Sequence, residues 1–189
     1  MATVYPDVVP IIESWLSANH QKIESFWVGA DWRYWARYEL FMALEKLIPD
    51  CLVTHGMSEF WDEGDEEVDI LVEPRDGDRG TIALLLRCEN VGENEGSYER
   101  FRDQLDADVA KVESLGRVGS SFDDARLLLV GFSGEPSAED AEFRTQPQPE
   151  HFVKGEVHCW MVRHDVLSRD QDDSRGTKLG IIVPRHGNP

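Results

Sequence analysis

The sequence predicts an α/β fold, with a central mixed β-sheet flanked by helices in a single domain. Three observations predict it. Short, dense apolar runs of strand length alternate with longer stretches whose apolar residues recur every three or four positions. One run, Arg126 to Phe132 (RLLLVGF), is almost wholly apolar, as a strand covered on both faces must be. The chain of 189 residues suits one domain, since a chain of this length buries about 70% of its unfolded surface.

The elements follow in order. Val8, Ile11, Ile12, Trp15 and Leu16 lie at helical spacing and predict a short amphipathic helix from Val8 to Asn19. A longer helix is expected from about Asp31, a plausible N-cap, to Ile48, with Leu40, Phe41, Leu44, Leu47 and Ile48 as its apolar stripe and Pro49 as its stop. Strands are expected at Cys51 to His55, Glu67 to Glu73 and Thr81 to Glu89. The turn-rich segment 74–80 should join the last two as an antiparallel hairpin. Phe101, Leu105, Val109 and Val112 predict a helix from about Ser97 to Leu115, followed by the apolar strand at 126–132. The segment 133–150, rich in Gly, Ser, Pro, Glu and Gln, reads as a loop with one helical turn near 138–143. Further strands are expected at Glu156 to His164 and Lys178 to Val183, joined by the charged segment 168–177.

Composition narrows the function. Nineteen basic residues against 37 acidic ones leave a net charge of −18, and only five of the basic residues are lysine. Such a surface repels a phosphate backbone unless its cations are gathered in one place, so nucleic-acid binding is disfavoured and a basic protein partner is favoured. A lysine-poor, acid-rich surface also resembles proteins adapted to concentrated salt. The start MATVYPDVVP has no basic segment leading into an apolar core, and no apolar run nears the roughly 20 residues that span a bilayer. The expectation is a cytoplasmic protein away from membranes. Cys51, Cys88 and Cys159 are scattered in apolar runs and read as buried reduced thiols.

One arrangement bears on chemistry. A helical Glu39, then Asp69 in GluValAspIleLeuVal, then a strand AlaLeuLeuLeuArgCysGlu, then a helix carrying Arg102 and Gln104, resembles the PD-(D/E)XK (restriction-endonuclease-like) nuclease superfamily over about 31–132. Strands over about 154–184 would complete the domain. The resemblance implies a strand aspartate, an acid and a lysine two positions apart on the next strand, and often a helix glutamate. In that family two carboxylates hold Mg²⁺ and the lysine orients or activates the attacking water. Asp69 and Glu39 match the first and last of these. Leu85 stands at the acidic position and Arg87 at that of the lysine. An isobutyl group cannot ligate Mg²⁺, and an arginine stays protonated and cannot act as a base. The resemblance therefore implies a degenerate motif in which Asp69 pairs with Arg87 where the metal would lie. Alternation along the strands also puts Glu89 on the face of Arg87 and Glu73 on that of Asp69, so Asp69, Glu39 and Glu89 form the alternative, displaced Mg²⁺ set.

Other patterns say less. His158, Trp160 and His164 share a strand face, but the two histidines, six positions apart, would lie about 20 Å from each other, too far to share an ion. His20 and His55 have no informative spacing, and no Ser, His and Asp arrangement suggests a nucleophile. GlyPheSerGlyGluPro lacks the lysine and helix of a phosphate loop and reads as a turn. Phe26, Trp27, Trp32, Tyr34, Trp35 and Tyr38 are either the packing of the first two helices or an anchor surface for a partner, with Trp32 and Trp35 its candidates, beside Arg102 and Gln104.

Two functions follow as expectations. The first is a non-catalytic binding or assembly module, without cofactor, that engages a basic protein as an immunity protein, inhibitor or defence-complex subunit. The second is an active Mg²⁺-dependent nuclease with a displaced ligand, in which Arg87 contacts phosphate; a subunit completed by its partner is a third.

Overall fold

A computed structural model describes residues 6–26, 32–57, 67–76, 80–89, 97–115, 125–134 and 150–165. Their order is α1 (Val9–Phe26), α2 (Trp32–Leu47), β1 (Cys51–Met57), β2 (Val68–Pro74), β3 (Ile82–Cys88), α3 (Ser97–Leu115), β4 (Arg126–Ser133), β5 (Glu150–Lys154) and β6 (Val157–Asp165). The strands make one six-stranded mixed sheet in the order β1-β2-β3-β4-β6-β5. Only β3 and β4 run parallel, and α3 is the crossover between them. The Asp31 cap, Trp27, the turn near 138–143 and the strand expected at 178–183 lie outside the described residues.

Apolar patterning decides which face of the sheet each helix covers. Ile82, Leu84 and Leu86 of β3, with Leu128, Val130 and Phe132 of β4, form one core with α1 and α2; Ala83 of β3, with Leu127 and Leu129 of β4, packs with Phe101, Leu105 and Val109 of α3. The result is three layers, and both faces of β4 are buried, as its unbroken apolar sequence requires. Cys88 and Cys159 lie on the face of α1 and α2, in register with Phe132 on either side of it. The three cysteines are free thiols, and burial pushes that of Cys159 well up, with Cys88 and Glu13 adding to the effect.

Several boundaries differ from the expectation. Helix α1 runs on past Asn19 to Phe26, because Ile23 continues the buried stripe of Ile12 and Leu16. The buried face of α2 is Trp32, Ala36, Leu40 and Leu44, while Leu47 is 55% exposed. Strand β5 falls where no strand was expected. Its sequence EHFVK has one partly buried side chain, too little apolar signal to mark a strand. It pairs with β6 through a two-residue turn whose first residue, Gly155, has φ 58°, the positive value that tight hairpins demand. Among the described residues no helix is long and apolar enough to cross a membrane.

Helix α3 approaches β4 over Gly131, where a Cβ would stand 2.6 Å from Phe101 Cζ. Gly131→Val should therefore cost about 1–3 kcal/mol through overpacking. An unchanged urea midpoint would show that α3 does not rest on this strand.

Candidate functional site

The side chain on which the sequence reading turns, Asp69, sits where strand alternation breaks. Val68 and Leu71 pack under α3, whereas Ile70 and Val72 pack under α1 and α2. Two consecutive positions, Asp69 and Ile70, therefore face α2. The β1–β2 register also skips the Gly56 and Asp69 level and resumes unshifted at Met57↔Val68, and Gly56 has φ 69°, so the ladder is interrupted here without an inserted residue. The β2–β3 ladder spans only Ile70↔Leu84 to Val72↔Ile82. Past it, the carboxylate of Asp69 accepts the Leu86 N–H at 2.8 Å, a side chain standing in for a strand's backbone.

Asp69 is 2% exposed, so its charge must be matched locally. Arg33 donates to both of its oxygens, at 3.0 and 2.9 Å, and Arg37 lies 3.7 Å from Oδ1. These arginines are one turn apart on α2, beside the buried stripe. Arg37 also reaches Glu67 at 3.3 Å and lies over the Tyr34 ring at 5.1 Å. Both flank the buried helix positions and are four residues apart, which is the one sequence signal that could have found them.

The expected pairing of Asp69 with Arg87 does not form. Arg87 follows the parity of Ala83, faces α3, and makes a two-pronged ion pair with Asp108, in which Nη2 to Oδ1 is 2.8 Å and Nε donates to Oδ2. Asp69 faces the other side because alternation breaks between Val68 and Ile70. The same break moves Glu73 off the face of Asp69, since Glu73 keeps the parity of Leu71. Glu39 points to neither group: it meets Lys22 of α1 at 3.7 Å and lines an α1–α2 groove of about 570 Å³ with Trp15, Met42 and Lys46. Asp69, Arg87 and Glu39 thus have separate partners on α2, α3 and α1.

Glu89 is 4% exposed and held by neutral donors. Ser97 Oγ donates to Oε1 at 2.7 Å and the Gly134 N–H to Oε2 at 2.7 Å, which ties the end of β3 to the start of α3 and the end of β4. Among the described residues no three histidine, cysteine or acidic side chains are grouped to hold a metal ion. Asp69 has its oxygens occupied by guanidinium and amide donors, and Glu89 is filled by its own bonds. The residues present do not fit a Mg²⁺ set.

The remaining candidates are placed as follows. Trp32 is 3% exposed, with its ring N–H on the Glu89 carbonyl at 2.7 Å, and Trp35 packs between Trp15 and Phe26 at ring distances of 5.9 and 5.2 Å. Both belong to the packing of the helices on the sheet, and the exposed aromatics nearby, among the described residues, are Phe26, Tyr34 and Tyr38. Arg102 reaches Asp103 at 3.5 Å, and Gln104 is exposed on α3. The side chain of His164 lies outside the described residues. His158 has a neighbour the sequence did not reveal, His151 of β5, with ring nitrogens 2.9 Å apart.

Searches of family models, of curated proteins and of solved structures find no match for the chain.

Removing the Asp69 carboxylate strands two arginines and a strand N–H, so Asp69→Ala should cost about 3–5 kcal/mol in urea unfolding. Glu39→Ala, which breaks a half-exposed pair, should stay within about 0.5 kcal/mol of the parent. Equal losses at the two positions would contradict the assignment. In a separate comparison, Arg87→Ala should destabilise α3 against the sheet and raise amide exchange in 97–110 before it does in α2; unchanged exchange in α3 would refute the Arg87–Asp108 anchor.

Proposed function

We propose that this chain is a non-catalytic binding or assembly module on a PD-(D/E)XK-like scaffold, engaging a basic protein as an immunity protein, inhibitor or subunit of a defence complex. One observation carries the non-catalytic part. The aspartate that a nuclease would give to a metal is spent on Arg33, Arg37 and the Leu86 N–H. Arg87, at the position of the lysine, is likewise spent on Asp108. Leu85 offers no ligand at the acidic position. The likeness of scaffold rests on element order, helix, three strands, helix, strand, in α2, β1 to β3, α3 and β4.

The net charge of −18 supports the choice of a basic partner. Long-range attraction would speed encounter with such a protein and weaken as salt screens it. Tyr34 and Tyr38, 60% and 56% exposed on α2, offer aromatic anchors of the kind that dominate protein interfaces. The −18 charge disfavours a nucleic-acid ligand for the same reason that it favours a basic protein. The alternative, an active nuclease with a displaced acid, requires Asp69 and Glu89 to leave the bonds they make.

The purified protein should leave DNA and RNA intact with either Mg²⁺ or Mn²⁺, at the level of its Asp69→Ala variant. Robust cleavage that Asp69→Ala abolishes would overturn the reading. Basic proteins encoded beside it should bind it with an affinity that falls steeply as salt rises, and more weakly once Tyr34 and Tyr38 are alanine. Binding to none of them, or preference for nucleic acid, would sink the choice of partner.

A further inference from the structure

The β5–β6 hairpin gathers two imidazoles on one face of the sheet. Register sets His151 opposite Trp160 and Val153 opposite His158, so the histidines are diagonal neighbours. Their nearest nitrogens, Nε2 of His151 and Nδ1 of His158, are 2.9 Å apart. His151 lies flat on Trp160, with ring centroids 3.8 Å apart and planes 9° from parallel. Trp160 is itself fixed, since its ring N–H donates to the buried Ser133 Oγ at 2.8 Å. The two nitrogens are therefore held by a tight turn, a strand ladder and a locked indole. His151 remains exposed at the sheet's edge.

We propose that His151 and His158 form a binding site for a borderline divalent transition metal, with copper(II) and nickel(II) as its preferred ions. Two imidazole nitrogens in adjacent positions of a tetragonal ion, each about 2.0–2.1 Å from it at a right angle, lie about 2.9 Å apart. A tetrahedral zinc ion would hold them about 3.3 Å apart. The spacing of 2.9 Å equals that of the first geometry, and a turn of the rings off the N–H···N line aims both lone pairs at one ion with the hairpin closed.

The chemistry is a replacement of one shared proton by a metal. In the neutral pair one ring donates N–H and the other accepts. On binding, the accepting nitrogen gives its lone pair to the ion. The donating ring passes its proton through solvent to its other nitrogen and frees a second lone pair, so that no net proton is lost from two neutral imidazoles. Partial desolvation, and next the presence of His158, lowers the pKa of His151 below the ordinary histidine value. Metal binding needs the neutral form of each ring. Water or a ligand from another molecule fills the remaining positions, since among the described residues no third histidine, cysteine or acid joins the pair.

The test is copper(II) titration of the tag-free full chain, read by electron paramagnetic resonance. The expected signal is one tight equivalent with two nitrogens in its equatorial plane. His151→Asn and His158→Asn should each weaken binding by about tenfold or more, and His20→Asn and His55→Asn should leave it unchanged. Binding should also fade as pH drops and protons compete for the same lone pairs. A tight site with one nitrogen or none, or one that persists in the His151→Asn, His158→Asn double variant, overturns the proposal. Zinc bound more tightly than copper or nickel would do so too. The spectrum of the unmodified protein decides the case even if a variant fails to fold.

Discussion

A buried carboxylate without counter-charge would be among the most expensive objects a core can contain, and Asp69 is such a carboxylate placed between three elements. Its need for donors is met from two directions at once. The backbone of β3 supplies an amide where the strand ladder has run out, and α2 supplies guanidinium groups from successive turns. A helix that must reach down to this point has little freedom to slide or rotate over the sheet. The break in alternation at Asp69 is thus an instrument of tertiary placement, because without it the carboxylate would face α3 and find Arg87 and no part of α2.

Glu89 shows a second way to bury an anion. It takes a hydroxyl and a backbone amide, and among the described residues no cation pairs with it. Each of its bonds reaches a different chain segment, so one side chain joins the end of a strand, the start of a helix and the end of the neighbouring strand. Charge-assisted bonds of this type are stronger than neutral ones. The molecule is heavily acidic outside, yet two of its acids serve as internal rivets, and neither is available for solvent chemistry.

How much of this was legible follows from where the signals reside. The elements from α2 through β4 were readable because burial imposes a period of two on strands and near four on helices, and Ser97 to Leu115 is an example where both ends were visible. Strand β5 was not readable, since an edge strand with four exposed side chains has nothing to bury. The candidate site failed at a finer level. Asp69 was recognised as special, and it is, but its direction depends on a single-residue break in alternation that no pattern of apolar residues announces. Once alternation is assumed unbroken, Arg87 becomes its neighbour by arithmetic; once it breaks, the partners are Arg33 and Arg37. The histidine pair was hidden for a related reason, since a cross-strand contact cannot be foreseen when one of the strands has not been seen.

Phe132 occupies the strand that runs between Cys88 and Cys159. Two strand spacings separate the thiols' backbones by roughly 9–10 Å, beyond the reach of about 7 Å that a bridge between cysteines tolerates. An aromatic ring consequently acts as an insulator between two sulfur atoms. Oxidants that staple vicinal thiols in other proteins cannot close Cys88 onto Cys159, so β3 and β6 keep the same connection through β4 in reducing and in oxidising surroundings.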